Sequence, residues 1–264
     1  RLQQNPEIAD LQFFAGRRFL PSLPSASETS GAGFGLKRAV QKNFLAVEAY
    51  RVLMPFLRKR SLKDNGDFLY HSPNYYLPPF AGSSVATFHD LSPFTWSHCH
   101  SPQLVRYLQR ELKTTLVRAD ALITDSEYTR KELADYFSWP IDRIHTVPLA
   151  SSAEFHPRSA DALRATLSRH GLEVGGYSLF VGTIEPRKNI ETLLDAYSRL
   201  PLELRKRWPL VLTGYYGWRN ESIHNRLESA RREGWAFYLG FVPSEDLPLL
   251  FSGARLFTFP SLYE

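Results

Sequence analysis

The sequence predicts an α/β protein of two halves, each a parallel β-sheet covered on both faces by helices. Three observations lead there. Short apolar runs alternate with amphipathic helical stretches, with most clarity in the second half. That alternation is the pattern of a parallel sheet buried on both sides. The stretch Ala150–Pro157 reads as a linker between two such series.

Along the chain, Ile8–Phe14 is a candidate short strand, and Pro21–Gly35, rich in Ser, Pro and Gly, reads as a loop. From Leu36 the apolar residues Val40, Phe44, Val47, Tyr50, Met54 and Leu57 recur at helical spacing, with Pro55 expected to kink the helix. Ser84–Phe88 is a strand that delivers His89-Asp90 into a loop. Ser101-Pro102 starts a helix with Leu104, Leu108, Leu112 and Leu116 on one face. Ala121–Thr124 is a buried strand, Ser126 caps the next helix, and Ile144–Leu149 is a further strand. The second half reads as strands at Tyr177–Val181, Pro209–Thr213, Phe237–Leu239 and Leu256–Phe259. Helices at Asn189–Leu200, Asn220–Glu233 and Ser244–Gly253 alternate with them. The expectation is two Rossmann-like domains, 1–152 and 153–264, facing a cleft. Ligands of such sheets lie beyond the carboxyl ends of the strands, so the loops there are the place to look for chemistry.

Composition narrows the classes. At 264 residues, 43% apolar and 22% charged, the chain has ordinary globular usage. The net charge of +5 suits an anionic partner without establishing one. A nucleic-acid binder would fit that charge and the 14% aromatics, but the aromatics sit at core positions and no recognition motif is present. No run approaches the roughly 20 apolar residues of a membrane span, and the start lacks the apolar core of a signal peptide. The single cysteine, Cys99, excludes an internal disulfide framework and fits a reducing compartment.

Four loops carry candidate chemistry. After the first strand of the second half comes Gly182-Thr183-Ile184-Glu185-Pro186-Arg187-Lys188-Asn189. Two cations before a helix whose amino end Asn189 would cap make a site for a phosphate or diphosphate. A pair of solvated cations at a turn is the plain alternative. His89 is placed to hydrogen-bond a polar ligand, with Asp90 as a possible orienting group. Adjacent residues on a turn seldom face one point, and a structural histidine is the alternative. His98 and His100 flank Cys99, but no third ligand is placed for a metal. Glu264, after the last strand, can accept hydrogen bonds from sugar hydroxyls.

Taken in order, these segments resemble the retaining GT-B glycosyltransferases of family four. The resemblance is carried by Thr87-Phe88-His89-Asp90-Leu91-Ser92-Pro93, Ile123-Thr124-Asp125-Ser126-Glu127, Val181–Asn189, Thr213-Gly214 with Gly217-Trp218, Leu239-Gly240-Phe241-Val242-Pro243 and Phe259–Glu264. It runs from about Tyr70 onward and is nearest to bacterial mannosyl- and rhamnosyltransferases of surface polysaccharide, including lipopolysaccharide O-antigen. It implies that Gly182, Arg187 and Lys188 hold the donor diphosphate and that His89, Asp90 and Glu264 form the catalytic set, with His89 and Glu264 on the transferred sugar. Gly214, Phe241, Val242 and Ser261 would lie in loops on the nucleotide side.

The same resemblance implies transfer of a mannose- or rhamnose-like hexose from a nucleotide diphosphate sugar, such as GDP-mannose, to a growing lipid-linked glycan. No metal or other cofactor is implied, because the basic pair and a helix dipole take the cation's part. The second carboxylate of the family's Glu-x7-Glu motif and the first strand with its Gly-rich loop fall outside the sequence, so the chain is expected to be truncated at both ends. A sugar- or nucleotide-binding module without catalysis, or an inactive fragment of such an enzyme, is the alternative. Finally, Lys37–Lys63 holds eight basic residues against Glu48 alone. A solvated helix face is the plain alternative, but with its apolar stripe and the lipid-linked acceptors that the resemblance implies, the run predicts peripheral association with the anionic inner face of the cytoplasmic membrane through Arg51, Arg58, Lys59, Arg60 and Lys63.

Overall fold

A computed structural model of the chain describes residues 5–22, 44–100, 102–218 and 220–264, with backbone only for 44–52. The loop expected at 21–35 and the helix start at Leu36 fall largely outside the described residues, as does the Arg51 side chain. Two compact units are present. The first comprises residues up to His89 and Tyr107–Pro148; the second comprises Asp90–Arg106 and Leu149–Glu264. Residues 90–106, inside the expected first half, thus group with the second unit.

In the first unit a small antiparallel hairpin, β1 (Phe13–Ala15) and β2 (Arg18–Leu20), precedes the first helix. Its turn contains Gly16 at φ +67, the left-handed region glycine enters at least cost. This hairpin replaces the single strand expected at Ile8–Phe14. Helix α1 (Phe44–Ser61) contains Pro55, and Met54 and Leu57 are half-buried. The sheet has the order β3 (Tyr70–Ser72), β4 (Ser84–Phe88), β5 (Ala121–Thr124), β6 (Ile144–Thr146), all parallel. Strands β4 and β5 form where the apolar runs predict them, and their Ala86, Phe88 and Leu122 are fully buried.

Among the described residues, three α-helices lie in this stretch of chain. Helix α2 (Ser92–Thr95) follows β4 and belongs to the second unit. Helix α3 (Pro102–Arg118) buries Leu112, leaves Leu104 exposed, and contains the point where the chain passes between units. Helix α4 (Glu127–Phe137) starts as expected, because Ser126 Oγ accepts the Thr129 N–H at 3.1 Å.

The second unit adds helix α5 (Ala160–Arg169), then β7 (Ser178–Val181), α6 (Ile190–Ser198), α7 (Leu202–Arg207), β8 (Leu210–Thr213), α8 (Glu221–Arg232), β9 (Ala236–Tyr238), α9 (Leu247–Gly253) and β10 (Leu256–Phe257). Its sheet has the order β10-β7-β8-β9, all parallel. Successive residues point to opposite faces. Phe180, Leu210 and Leu212 pack with Ile190, Leu194 and Leu227 on one side. Leu179 and Val211 pack with Leu163, Leu167 and Leu250 on the other. The central strands β7 and β8 are therefore buried on both faces and show no alternation of polar residues, while the edge strand β10 is exposed. Helix α5 was not anticipated, although Ser159 Oγ caps it and Leu163 and Leu167 stand four residues apart.

Candidate functional site

The second unit ends three neighbouring strands in glycine. Gly182 follows β7, Gly214 follows β8, and Gly240 lies two residues beyond β9. Gly182 N–H donates to Thr213 O, and Gly214 N–H to Gly240 O, each at 2.9 Å. Gly214 adopts φ +140, and a Cβ there would lie 2.1 Å from Gly182 O. The ends of β7 and β8 are pressed together so that Gly214 has no room for a side chain, whereas Gly240, at φ +72, is glycine for its backbone conformation and has open space around it, so backbone lines the carboxyl edge of the sheet. That edge is where ligands of parallel sheets bind.

The loop after Gly182 turns back over this edge. Ile184 is fully buried, and Pro186–Lys188 form a single 3-10 turn. Arg187 is buried rather than solvated. Its Nη2 donates to Glu185 Oε1 at 3.0 Å and its Nη1 to the Tyr263 carbonyl at 2.9 Å. Glu185 itself is 2% exposed. Arg187 Nε is buried without a hydrogen-bond partner, an orphan donor beside two satisfied ones. Lys188 Nζ donates to both carboxylate oxygens of Glu264 at 2.6 Å and sits 5.3 Å from the centre of the Phe259 ring. Both expected cations are thus held by carboxylates of their own unit.

Asn189 does not cap α6 with its side chain. It sits at φ 56 and its Nδ2 donates to Pro260 O at 3.1 Å, so it ties the basic loop to the last segment. Leu262 N–H, donating to Arg187 O at 3.0 Å, does the same.

Residues 90–106 extend this site. Asp90 Oδ1 accepts the Ser92 N–H at 2.8 Å, and the Tyr263 hydroxyl accepts the Leu91 N–H at 2.9 Å. Trp96 stacks on the Tyr263 ring, and Trp218 Nε1 donates to Cys99 O. Cys99 is buried and His98 exposed, and His100 Nε2 lies 3.1 Å from Ser92 Oγ, so this trio does not converge on a point. Burial holds the His100 imidazole below its ordinary pKa, against the pull of nearby Glu185.

On the side expected to face the nucleotide, Phe241 is 62% exposed and its ring centre lies 5.1 Å from that of Tyr215. Val242 is 3% exposed and packs in the core with Val211 and Leu250, so its side chain is structural. Ser261 Oγ is buried without a hydrogen-bond partner.

In the first unit, His89 stands at the end of β4. The group on its Nδ1 is not Asp90 but Asp125, whose Oδ2 lies at 2.6 Å; Nε2 faces the Pro73 carbonyl at 2.9 Å. Asp90 is turned to its own backbone, as adjacent residues on a turn generally are. The sequence contained a signal for Asp125: it lies one residue beyond β5 as His89 lies one beyond β4. Glu185, the counter-charge of Arg187, had no comparable signal.

Residues 172–264 match the family described as Glycosyl transferases group 1. The chain is 41% identical over 268 residues to O-antigen chain mannosyltransferase B of Escherichia coli, a match that spans all of this chain and 70% of that protein. It is 32% identical over 189 residues to the serotype-specific mannosyltransferase WbdA of Escherichia coli, covering 69% of this chain and 23% of WbdA. Among solved structures, it superposes with TM-score 0.59 on WaaG, a glycosyltransferase involved in lipopolysaccharide biosynthesis, at 14% identity over 78% of this chain and 56% of that one. It matches Anabaena HepE, solved with UDP and glucose, with TM-score 0.59 at 15% identity over 80% and 57% of the two chains. These likenesses show the fold, the GT-B class, and the chain spans a little over half of those structures. With its long and close match to a curated relative, the chain belongs to the group 1 glycosyl transferases.

Proposed function

We propose that this chain serves retaining transfer of a mannose-like hexose from a nucleotide diphosphate sugar to a growing lipid-linked glycan in surface polysaccharide synthesis. The observation that carries the reading is the paired arrangement of Arg187 on Glu185 and Lys188 on Glu264 beside the glycine-ended strands. A preset cation pair stabilises the charge that builds on a departing diphosphate. Lys188 has three N–H donors, and its contacts with one carboxylate leave donor capacity for a phosphate oxygen. Glu264, 47% exposed at its side chain, is available to sugar hydroxyls. The mannosyltransferase names of its relatives favour mannose, and GDP-mannose is the proposed donor.

In this reading His89 contacts the transferred sugar. The leaving phosphate itself takes the acceptor proton on the face it departs from, so configuration is retained and no protein nucleophile or metal is called for. Donor turnover with a lipid diphosphate-linked acceptor tests it. Retention at the anomeric carbon of the product is expected, and inversion refutes the mechanism. Lys188→Ala is expected to lower donor use about 10- to 150-fold, the loss of one charge-assisted hydrogen bond. Unchanged kinetics would remove Lys188 from the site.

Peripheral membrane association is part of the same proposal. Lys59, Arg60 and Lys63 are exposed on and just after α1, together with Leu53 at 57% and Phe56 at 67% exposure. Arg58 is less available, because its Nε donates to Gly16 O at 3.1 Å. Among the described residues no helix is long and apolar enough to cross a membrane. Sedimentation with anionic vesicles, expected to fade with salt, is the test. Binding that ignores lipid charge and salt refutes it.

A further inference from the structure

The register of the first sheet decides which side chains meet at its carboxyl edge. Strands β4 and β5 are parallel neighbours with Phe88 beside Thr124, so the next residues outward, His89 and Asp125, leave the sheet side by side. Strand β3 flanks β4 on the other side, and Pro73, the residue after it, turns its carbonyl to the same imidazole. The ring is therefore held between a carboxylate at 2.6 Å on Nδ1 and a carbonyl at 2.9 Å on Nε2. Tyr75 closes a third side, edge-on to His89 with ring centres 6.1 Å apart. Its backbone lies at φ 37, a region a tyrosine rarely enters, and Tyr75 N–H is tied to Thr87 O at 3.1 Å.

Asp125 is not needed as a helix cap, because Ser126 Oγ already fills that position of α4. Asp90 is engaged with Ser92 N–H. A carboxylate and a carbonyl are both acceptors. An imidazole with one proton satisfies only one of them, whereas a doubly protonated ring donates to both.

We propose that Asp125 is the positioning residue of His89: it holds the ring through Nδ1–H and keeps the Nε2 proton in place as a donor, directed to Pro73 O in this structure and to an oxygen of the transferred sugar during the reaction. This rests on His89 being the sugar contact. The carboxylate fixes the orientation and the charge of the ring together, the part a second residue commonly plays for a catalytic histidine.

The test uses the full-length protein labelled with ¹⁵N-histidine, with long-range proton–nitrogen correlation at neutral pH and His89→Gln to assign the signals. Both His89 nitrogens are expected to carry protons in the wild type. Asp125→Asn is expected to leave a singly protonated ring and to lower kcat about 10-fold or more, the difference between a charge-assisted and a neutral hydrogen bond. GDP affinity should stay within about twofold, because the diphosphate contacts are assigned elsewhere, and Asp125→Glu should recover part of the loss. Ring signals unchanged in Asp125→Asn, or an unchanged kcat, overturn the proposal. If Asp125→Asn does not fold, the wild-type ring decides, and a singly protonated His89 there overturns it. A protein that transfers no sugar from any donor refutes the function, while the ring signals still report on the pair.

Discussion

Arg187→Ala should damage the fold as well as the chemistry, and the structure sets the scale. Its partner Glu185 is 2% exposed, and the Arg187 side chain is 11% exposed. Removing the guanidinium leaves a buried carboxylate without its counter-charge and frees the Tyr263 carbonyl that receives Nη1. Breaking a buried pair from one side costs about 3–5 kcal/mol. In a unit of about 130 residues each kcal/mol moves Tm by about 3–5 °C, so Tm should fall by about 10–25 °C. Neutralising the stranded group in Glu185→Gln/Arg187→Ala should return about 2 kcal/mol of that loss, because the remaining amide is polar but uncharged.

Lys188→Ala is the contrasting case. Its carboxylate partner is 47% exposed, so solvent screening reduces that pair to less than about 1 kcal/mol of stability. Thermal unfolding followed by circular dichroism on the three variants, with calorimetry of GDP binding below the lowest Tm, separates fold from site. An Arg187→Ala protein that melts within about 2 °C of wild type would refute the buried-pair argument. So would a double variant no more stable than the single one.

Three further outcomes are expected. Gly214→Ala should cost about 1–3 kcal/mol from its φ alone, with a further loss from the 2.1 Å approach to Gly182 O, and a wild-type denaturation midpoint would show that the strand ends can part. Burial lowers the His100 pKa from 6.5, with Glu185 and Asp90 opposing and Arg187 and His98 assisting. The unfolded chain therefore gains a proton that the folded ring resists, and stability present above about pH 6.5 is lost as pH falls through the folded pKa. Urea titrations above and below that range should show a smaller acid loss in His100→Gln than in wild type, and equal losses would assign the effect elsewhere. Tyr177→Phe should cost about 1 kcal/mol in urea unfolding. The fully buried hydroxyl donates to Leu250 O at 2.6 Å, but that carbonyl keeps the Ala254 N–H, and a loss of several kcal/mol would mean that it does not.

Local pattern determined most of the elements. Ser84–Phe88 and Ala121–Thr124 are strands with the bounds their apolar runs imply, and Ser126 caps the helix it precedes. The second sheet follows from short apolar runs set between amphipathic stretches, because a parallel sheet buried on both faces admits little else. The site loops were legible for the same reason: each follows a strand, and strand ends are where such sheets expose backbone. Weak periodic signals were not enough for the hairpin at Phe13–Leu20 or for helix α5.

What each site side chain faces was decided only by the tertiary structure. His89 meets Asp125 rather than its neighbour Asp90 because β4 and β5, 36 residues apart at this pair, align in register. Arg187 is buried on Glu185 and the Tyr263 carbonyl, and Val242 turns into the core while Phe241 beside it turns out. Periodicity reports the face a residue occupies within its own element. A partner is fixed by the register and packing of elements remote in sequence, and no local spacing encodes that.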